Sequence, residues 1–159
     1  MLRKKHLIEY FYKGIKDKNK LKIGVEHEKF VLNNINFHQV SYDMRNGIKD
    51  ILLRFVKNGW TPKYDDEGVT VIALERFGES ITLEPGGQIE LSGAQLNNIH
   101  QTCTETTRHL KELKEIGQEL HFVLLVHVPG RSVPSSPQTM SKIRHQQKAG
   151  NIFLLISLV

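Results

Sequence analysis

Hydrophobic residues recur every three or four positions in three parts of this chain, and this spacing predicts three amphipathic helices. The first helix lies near the N-terminus and ends in the lysine-rich run 16–20. The second covers residues 42–58 and stops at Gly59, because glycine is common just past the end of a helix. The third and longest helix covers residues 96–120.

The apolar stripe of the third helix allows two interpretations. Its members are Leu96, Ile99, Cys103, Thr106, Leu110, Leu113, Gly117 and Leu120. A coiled-coil seam needs large apolar residues throughout, and Cys103, Thr106 and Gly117 fill such positions poorly. We therefore favour packing against a sheet, with Cys103 as a small buried thiol. His100 and His109 lie on different turns of this helix and are interpreted as surface or packing residues.

Alternation of apolar and polar residues predicts strands elsewhere in the chain. In residues 21–32, one face carries Ile23, Val25 and Val31, and the other carries Glu26, Glu28 and Phe30. Residues 69–74 and 80–84 are predicted to form two strands joined through residues 76–78, and residues 88–91 a third short strand. Strands and helices together predict an α+β fold.

One segment reads SITLEPGGQIELSGA and places acids around a Pro-Gly-Gly break. Glu26 and Glu28 are two positions apart in one predicted strand, so their side chains share a face and lie roughly 7 Å apart. Glu84 and Glu90 are also separated by an even number of residues, so they have the same parity. Such carboxylates repel one another unless a cation lies between them, and Mg²⁺ prefers oxygen ligands of this kind. Gln88 lies between two of the acids. A solvated strand face is the alternative, and spacing alone leaves both open.

Composition narrows the class of protein. The chain has 159 residues, 39% of them hydrophobic and 25% charged, as in a globular protein with one domain. Its longest apolar run, residues 152–159, is far shorter than the ~20 residues that cross a bilayer, and no signal-type apolar core follows the N-terminus. Cys103 is the single cysteine, which excludes an internal disulfide and a multi-cysteine zinc site. We expect a cytoplasmic protein with no membrane partner.

The charge distribution changes near residue 120. Residues 1–120 hold all 17 acids and 18 of the 22 bases, whereas residues 121–159 hold four bases and no acid. We therefore divide the chain into an ordered part, residues 1–120, and a divergent tail, residues 121–159, that is disordered or aberrant in sequence. The first residues of the tail keep an apolar, strand-like character. Because aromatic residues do not alternate with its bases, we expect no nucleic-acid partner.

Four runs of sequence carry a family resemblance. They are KIGVEHEKFVL at 22–32, YD and GI at 42–48, SITLEPGGQIELSGAQL at 80–96, and IHQTCTE at 99–105. In this order and spacing they closely resemble the plant and proteobacterial type of glutamate-cysteine ligase. The resemblance implies a sheet of the glutamine synthetase type, antiparallel and curved into a funnel with Mg²⁺-binding carboxylates on its inner face.

The resemblance also implies a reaction and its residues. ATP would phosphorylate the γ-carboxylate of glutamate, and the amine of cysteine would displace phosphate, which is the first step toward glutathione. By matching positions, the Mg²⁺ ligands are Glu26, Glu28, Glu84 and Glu90, and Gln88 makes a polar contact in the same pocket. Cys103 matches a cysteine that pairs in a redox-sensitive disulfide in some family members. Its partner would lie in a part of the family that this chain lacks, so we expect no such switch.

The resemblance implies that residues 1–120 are the N-terminal part of the glutamate-cysteine ligase catalytic domain. The chain departs from the family pattern in length and from Pro129 onward. The arginines and lysines that bind substrate carboxylates and phosphates would mostly come from the missing part. Our hypothesis is that the reading frame is interrupted near this point and that the tail is unselected sequence. Three possibilities stay open: a ligase, an inactive remnant, and a binding or interaction module that kept the metal face or the long helix.

Overall fold

The structure, a computed structural model, describes residues 2–85 and 87–126. Its helices are α1 (Lys4–Gly14), α2 (Ile48–Lys57) and α3 (Ile99–Leu120), and a short 3-10 turn covers Lys18–Lys20. Its strands are β1 (Glu26–Asn33), β2 (Thr61–Tyr64), β3 (Val71–Arg76), β4 (Glu79–Glu84), β5 (Gln88–Ser92) and β6 (Phe122–Val126). This combination confirms the predicted α+β class.

The strands form one antiparallel sheet in the order β2-β3-β4-β5-β1-β6. Strands β3, β4 and β5 follow one another through short turns, so local hairpins build the middle of the sheet. Strand β1 then pairs with β5 on one side and with β6 on the other, although both partners are distant in sequence. Strand β1 therefore depends on long-range contacts for its place.

Helices α2 and α3 cover one face of the sheet, which we call the covered face. Its buried apolar strand residues are Val31, Val71, Leu74, Ile81, Ile89, Leu91, Phe122 and Leu124. The helices contribute Ile48, Ile51, Leu52 and Phe55 from α2, and Leu113, Ile116 and Leu120 from α3. Each fully buried side chain of this size stabilises the fold by roughly 1.5–3 kcal/mol. The predicted packing of the long helix against a sheet is confirmed.

Helix α2 begins at Ile48, six residues later than the pattern predicts. Residues 42–46 form a turn instead, and the Tyr42 hydroxyl donates a hydrogen bond to the Val71 carbonyl at 2.7 Å. At Gly47 a Cβ atom would lie 2.5–2.7 Å from three carbonyl oxygens of this turn. The turn therefore requires a glycine at this position, and the helix starts directly after it.

The predicted stripe of α3 is wrong over the first half of the helix. The buried residues are Thr102, Glu105, His109, Leu113, Ile116, Gly117 and Leu120. Cys103 is exposed, which corrects the expected buried thiol, and Ile99 is exposed as well. The first half packs over a polar layer, so polar side chains are buried there and apolar ones face outward. His109 is therefore a packing residue, whereas His100 is at the surface.

Most strands lie within two residues of the predicted positions, with two exceptions. Strand β1 begins at Glu26 rather than residue 21, because the preceding segment makes an isolated bridge between Ile23 and Leu96 instead of a continuous ladder. Strand β2 was not predicted, since it is short, contains Pro62 and lies at the sheet edge. Strand β6 confirms the strand character after residue 120, and residues 127–159 of the predicted tail lie outside the described residues.

Helix α1 confirms the first predicted helix, but every one of its residues is exposed. Tyr10 and Phe11 are 75% and 73% exposed. The helix therefore adds no side chain to the core of the described part. None of the helices in residues 2–85 and 87–126 is long and apolar enough to span a membrane.

Candidate metal site

The strand register brings the four predicted glutamates onto one face of the sheet. Glu28 on β1 lies directly opposite Glu90 on β5, and Glu90 lies opposite Thr82 on β4. Glu84 lies opposite Gln88, two residues along from this row. Residues that face each other across an antiparallel pair share a face, and so do residues two apart on one strand. Glu26 therefore belongs to the same set, which we call the acidic face, opposite the covered face.

Glu90 is the most buried member of this set. It is 8% exposed, Glu28 and Glu84 are half-buried, and Glu26 is exposed. The Thr82 hydroxyl donates a long hydrogen bond of 3.5 Å to its carboxylate. At this distance the hydroxyl compensates the charge of Glu90 only weakly.

The electrostatics show that the other three carboxylates act on Glu90. Burial raises the pKa of the Glu90 carboxyl above its ordinary value of 4.5. A hydrogen bond that its protonated form donates to Glu84 raises the pKa further, as do the negative charges of Glu84, Glu26 and Glu28. A cation bound among these groups would relieve this repulsion.

Pro85 and Gly87 of the Pro-Gly-Gly break lie between β4 and β5. Gly87 adopts φ +71°, a conformation that favours glycine, and its N–H donates to the Glu84 carbonyl at 3.1 Å. The Gln88 side-chain N–H₂ donates to the Pro85 carbonyl at 3.3 Å. Its Oε1 is buried and has no hydrogen-bond partner among the described residues. The turn therefore leaves one amide oxygen unpaired beside the acids.

The donor chemistry of the acidic face suits Mg²⁺, since carboxylate and amide oxygens are its usual protein ligands. In the described part of the chain, no three His, Cys, Asp or Glu side chains stand close enough together to hold a metal ion without moving. The acids thus share a face and an electrostatic environment, and metal binding would require their side chains to converge. Long glutamate side chains have the rotamer freedom for this movement.

Sequence reasoning missed a layer of buried polar residues on the covered face, where the first half of α3 meets the sheet. Lys29 is fully buried on the covered face, and its Nζ donates to the His27 carbonyl at 3.0 Å. Burial lowers the pKa of Lys29 to about 7, against the opposing effect of the Glu90 charge. Lys29 lies two residues before Val31 on the same strand, and this spacing could have predicted that Lys29 is buried on the covered face.

His109 on α3 belongs to this layer. Its ring stacks on Phe55 with centroids 5.8 Å apart, and neither ring nitrogen has a hydrogen-bond partner in the described residues. Burial, followed by the charge of Lys29, holds the pKa of His109 well below its ordinary value. The imidazole is therefore neutral, which lowers the free energy needed to bury it.

A buried ion-pair network closes the layer near the β3–β4 turn. Glu79 is almost fully buried, and its Oε1 accepts from Arg76 Nε at 3.2 Å and from Arg108 at 2.6 Å. Arg76 also donates to both oxygens of Glu112, at 2.7 and 2.9 Å. Burial raises the pKa of Glu79, although both arginines act in the opposite direction. The network ties the hairpin to α3.

Glu105 on α3 holds the loop that follows β5. Its Oε1 accepts a hydrogen bond from the Ala94 N–H at 2.9 Å, and its side chain is buried. The neighbouring Gly93 N–H donates to the Val25 carbonyl at 2.7 Å, directly before Glu26. Through Ala94 and Gly93, Glu105 therefore helps to fix the backbone next to Glu26.

Comparison with known proteins gives a consistent family. The sequence profile of glutamate-cysteine ligase family 2 (GCS2) matches residues 22–150, a range that includes part of the predicted tail. The chain is 41% identical over 123 residues to the chloroplastic glutamate-cysteine ligase A of Oryza sativa subsp. japonica, covering 75% of this chain and 23% of that protein. It is 39% identical over 123 residues to the chloroplastic glutamate-cysteine ligase of Arabidopsis thaliana, covering 75% of this chain and 22% of that protein.

The matched region covers 23% and 22% of these two relatives, so the chain spans less than a quarter of their length. The profile match nevertheless covers most of the chain, and it contains all four glutamates of the acidic face. On these grounds the chain belongs to the glutamate-cysteine ligase family.

Proposed function

We propose that this chain supplies the metal-binding sheet of an ATP-dependent ligase that joins the γ-carboxylate of glutamate to the amine of cysteine. The relatives are named for glutamate-cysteine ligation, and this chain matches 23% or less of their length. The observation that carries the proposal is the register that aligns Glu28 with Glu90 and places Glu84 and Glu26 on the same face.

The four glutamates have distinct places in the proposed site. Glu28 and Glu90 face each other across β1 and β5 and form its centre. Glu84 interacts with Glu90 strongly enough to raise the pKa of that carboxyl, and Glu26 stands at the exposed end of the set. When bound here, Mg²⁺ would neutralise charge on the phosphate oxygens of ATP. The unpaired Oε1 of Gln88 is available to accept a hydrogen bond from a substrate ammonium or hydroxyl.

The proposed reaction has two displacement steps. An oxygen of the glutamate γ-carboxylate attacks the γ-phosphorus of ATP, and ADP leaves to give γ-glutamyl phosphate. The cysteine nitrogen then attacks the acyl carbon, phosphate leaves, and the nitrogen loses a proton to give the amide. The described residues contribute positioning and charge balance to both steps. Cations that bind the substrate carboxylates would come from the part of the relatives that this chain does not span.

The glutamine synthetase-like funnel belongs to the proposal as well. An antiparallel six-stranded sheet with helices on one face and clustered acids on the other supports it. We also propose a cytoplasmic location, since the single cysteine is an exposed free thiol. The plant relatives are named as chloroplastic.

The proposed activity is tested by ADP release from the purified chain with Mg²⁺, ATP, glutamate and cysteine. We expect release that needs both amino acids and that falls at least about tenfold in Glu84→Gln, because a ligand charge is lost. Glu115→Gln on the exposed side of α3 is the matched control and should match the unsubstituted chain.

A parallel titration with Mn²⁺, followed by electron paramagnetic resonance, separates binding from catalysis. Binding that weakens in Glu84→Gln without any ADP release would identify a metal-binding module that lacks the reaction. A folded chain that neither binds Mn²⁺ nor releases ADP would refute the proposed site.

A further inference from the structure

The turn between β3 and β4 carries an aromatic residue that the turn itself disfavours. Arg76 pairs with Glu79, so the loop consists of Phe77 and Gly78. Their φ angles are +52° and +86°, as in the type I′ turn that favours Asn-Gly. A bulky residue in the left-handed region is uncommon and strained. Phe77 therefore destabilises a hairpin that asparagine would suit better.

Burial does not compensate for this strain, because Phe77 is 82% exposed. The guanidinium carbons of Arg76 and Arg108 lie 5.7 and 5.9 Å from the centre of its ring. Arg76 is itself fixed by Glu112 and lies 4.3 Å over the Trp60 ring. The exposed ring of Phe77 therefore contacts an arginine that is itself held in place by an ion pair.

A cavity of about 510 Å³ opens beside this ring. Thr61, Glu75 and Ser80 line it together with the turn residues from Arg76 to Glu79. Its volume lies within the range of small-molecule sites. The lining combines one large aromatic ring with hydroxyl and carboxylate groups, which can stack on a flat heterocycle and hydrogen-bond to its edge.

The register relates this cavity to the acidic face. Thr61, Glu75, Ser80, Ser92 and Glu26 are successive partners across five strands. They form one row on the acidic side of the sheet, and Ser80 lies two strands from Glu26, about 10 Å away at the usual strand spacing. A ligand that extends along this row from Phe77 would reach the glutamates.

We propose that this cavity binds the nucleoside end of a nucleoside triphosphate, with its base stacked on Phe77 and its phosphates directed toward the acidic face. The inference rests on the proposed function and adds a specificity-determining residue to it. Phe77 supplies stacking, and the hydroxyls of Thr61 and Ser80 and the Glu75 carboxylate contact the edge of the base or the ribose. The strain of the turn is retained because the ring has this role.

Isothermal titration of the full chain with Mg²⁺·ATP and with Mg²⁺·tripolyphosphate tests the inference. The variants are Phe77→Asn, which suits the turn, Phe77→Trp, which keeps a stacking ring, and Phe11→Ala, which removes an equally exposed ring elsewhere. We expect ATP to bind roughly tenfold more tightly than tripolyphosphate to the unsubstituted chain. Phe77→Asn should abolish this difference while raising the melting temperature, and the other two variants should keep it.

The outcomes separate this inference from the proposed function. If both ligands bind and Phe77→Asn leaves the ATP affinity unchanged, the nucleoside site is overturned and the phosphate site stands. If ATP and tripolyphosphate bind equally to the unsubstituted chain, the nucleoside site is overturned in the same way. If neither ligand binds to the folded chain, the proposed function fails and this inference fails with it.

Discussion

At the residue scale, Glu90 is a carboxylate whose ionised form is disfavoured by burial and by neighbouring negative charges. Glu90 is 8% exposed, its carboxylate accepts a long hydrogen bond from Thr82, and the charges of three other glutamates on the same face act on it. A carboxyl whose pKa is raised on folding holds a proton that the unfolded chain has already lost. Stability therefore falls as the pH rises from 4.5 through the raised pKa of Glu90. The ionised residue opposes folding at neutral pH and is retained despite this effect.

We predict that Glu90→Gln raises the free energy of unfolding at pH 7 in EDTA, by on the order of 1 kcal/mol. The gain should fade as the pH falls through 4.5, because the carboxyl then becomes protonated in the unfolded state as well. Added Mg²⁺ should stabilise the unsubstituted chain more than the variant. Urea unfolding followed by circular dichroism measures all three effects, with Glu115→Gln as control. A variant that is less stable at pH 7 in EDTA would contradict this account.

At Gly93, the loop after β5 packs closely against Glu105 and Val25. A Cβ atom there would overlap Glu105 Oε2 and lie 3.1 Å from the Val25 carbonyl oxygen. Neither group can retreat easily, since Glu105 holds Ala94 and Val25 accepts from Gly93 itself. The loop position therefore depends on the absence of a side chain.

We predict that Gly93→Ala lowers the free energy of unfolding by about 1–3 kcal/mol, the usual effect of overpacking. Gly14→Ala at the end of α1 is the matched control, because a Cβ atom there has no neighbour within 4 Å among the described residues. Chemical denaturation compares the two variants. Equal stability of Gly93→Ala and Gly14→Ala would show that the loop can shift freely.

At the scale of elements, α1 and α2 have similar lengths and opposite roles. Helix α2 buries Ile48, Ile51, Leu52 and Phe55 against the sheet, whereas every residue of α1 is exposed. Most of the stability of a short helix in a protein comes from packing of its apolar face. Helix α2 should therefore contribute strongly to the stability of the described fold, and α1 very little.

The same substitution in each helix tests this contrast. We predict that Phe55→Ala lowers the free energy of unfolding by about 3–5 kcal/mol, because it leaves a cavity beside Trp60 and His109. Phe11→Ala should change it by less than about 0.5 kcal/mol. A large loss for Phe11→Ala in urea unfolding would mean that α1 packs against something in solution.

The whole molecule is a sheet with one face covered by helices and one face rich in carboxylates. The covered face holds the main core, and the buried polar residues Lys29, His109 and Glu79 lie on this same face, where the first half of α3 meets the sheet. The three possibilities for this chain, a ligase, an inactive remnant and a binding module, differ in whether ATP is turned over and in whether a metal ion is bound. ADP release and Mn²⁺ binding by the same preparation distinguish them.

Local sequence determined much of this protein. The hairpins β3–β4 and β4–β5, helix α3, the α+β class and the parity of the four glutamates all follow from short-range periodicity and turn residues. Hydrophobic periodicity is a local property of the sequence, so it predicts a helix or strand wherever that element has one apolar face. The family signature could also be read directly from the sequence, because its runs are long and ordered.

Tertiary structure alone decided the rest. Pairing of β1 with β5 set Glu28 opposite Glu90, and no local pattern encodes a partner about sixty residues away. The burial of Glu105 and His109 and the exposure of Cys103 depended on which side of α3 faces the sheet. Burial of a polar residue is fixed by its neighbours in space, and those neighbours exist only once the sheet and helices have come together.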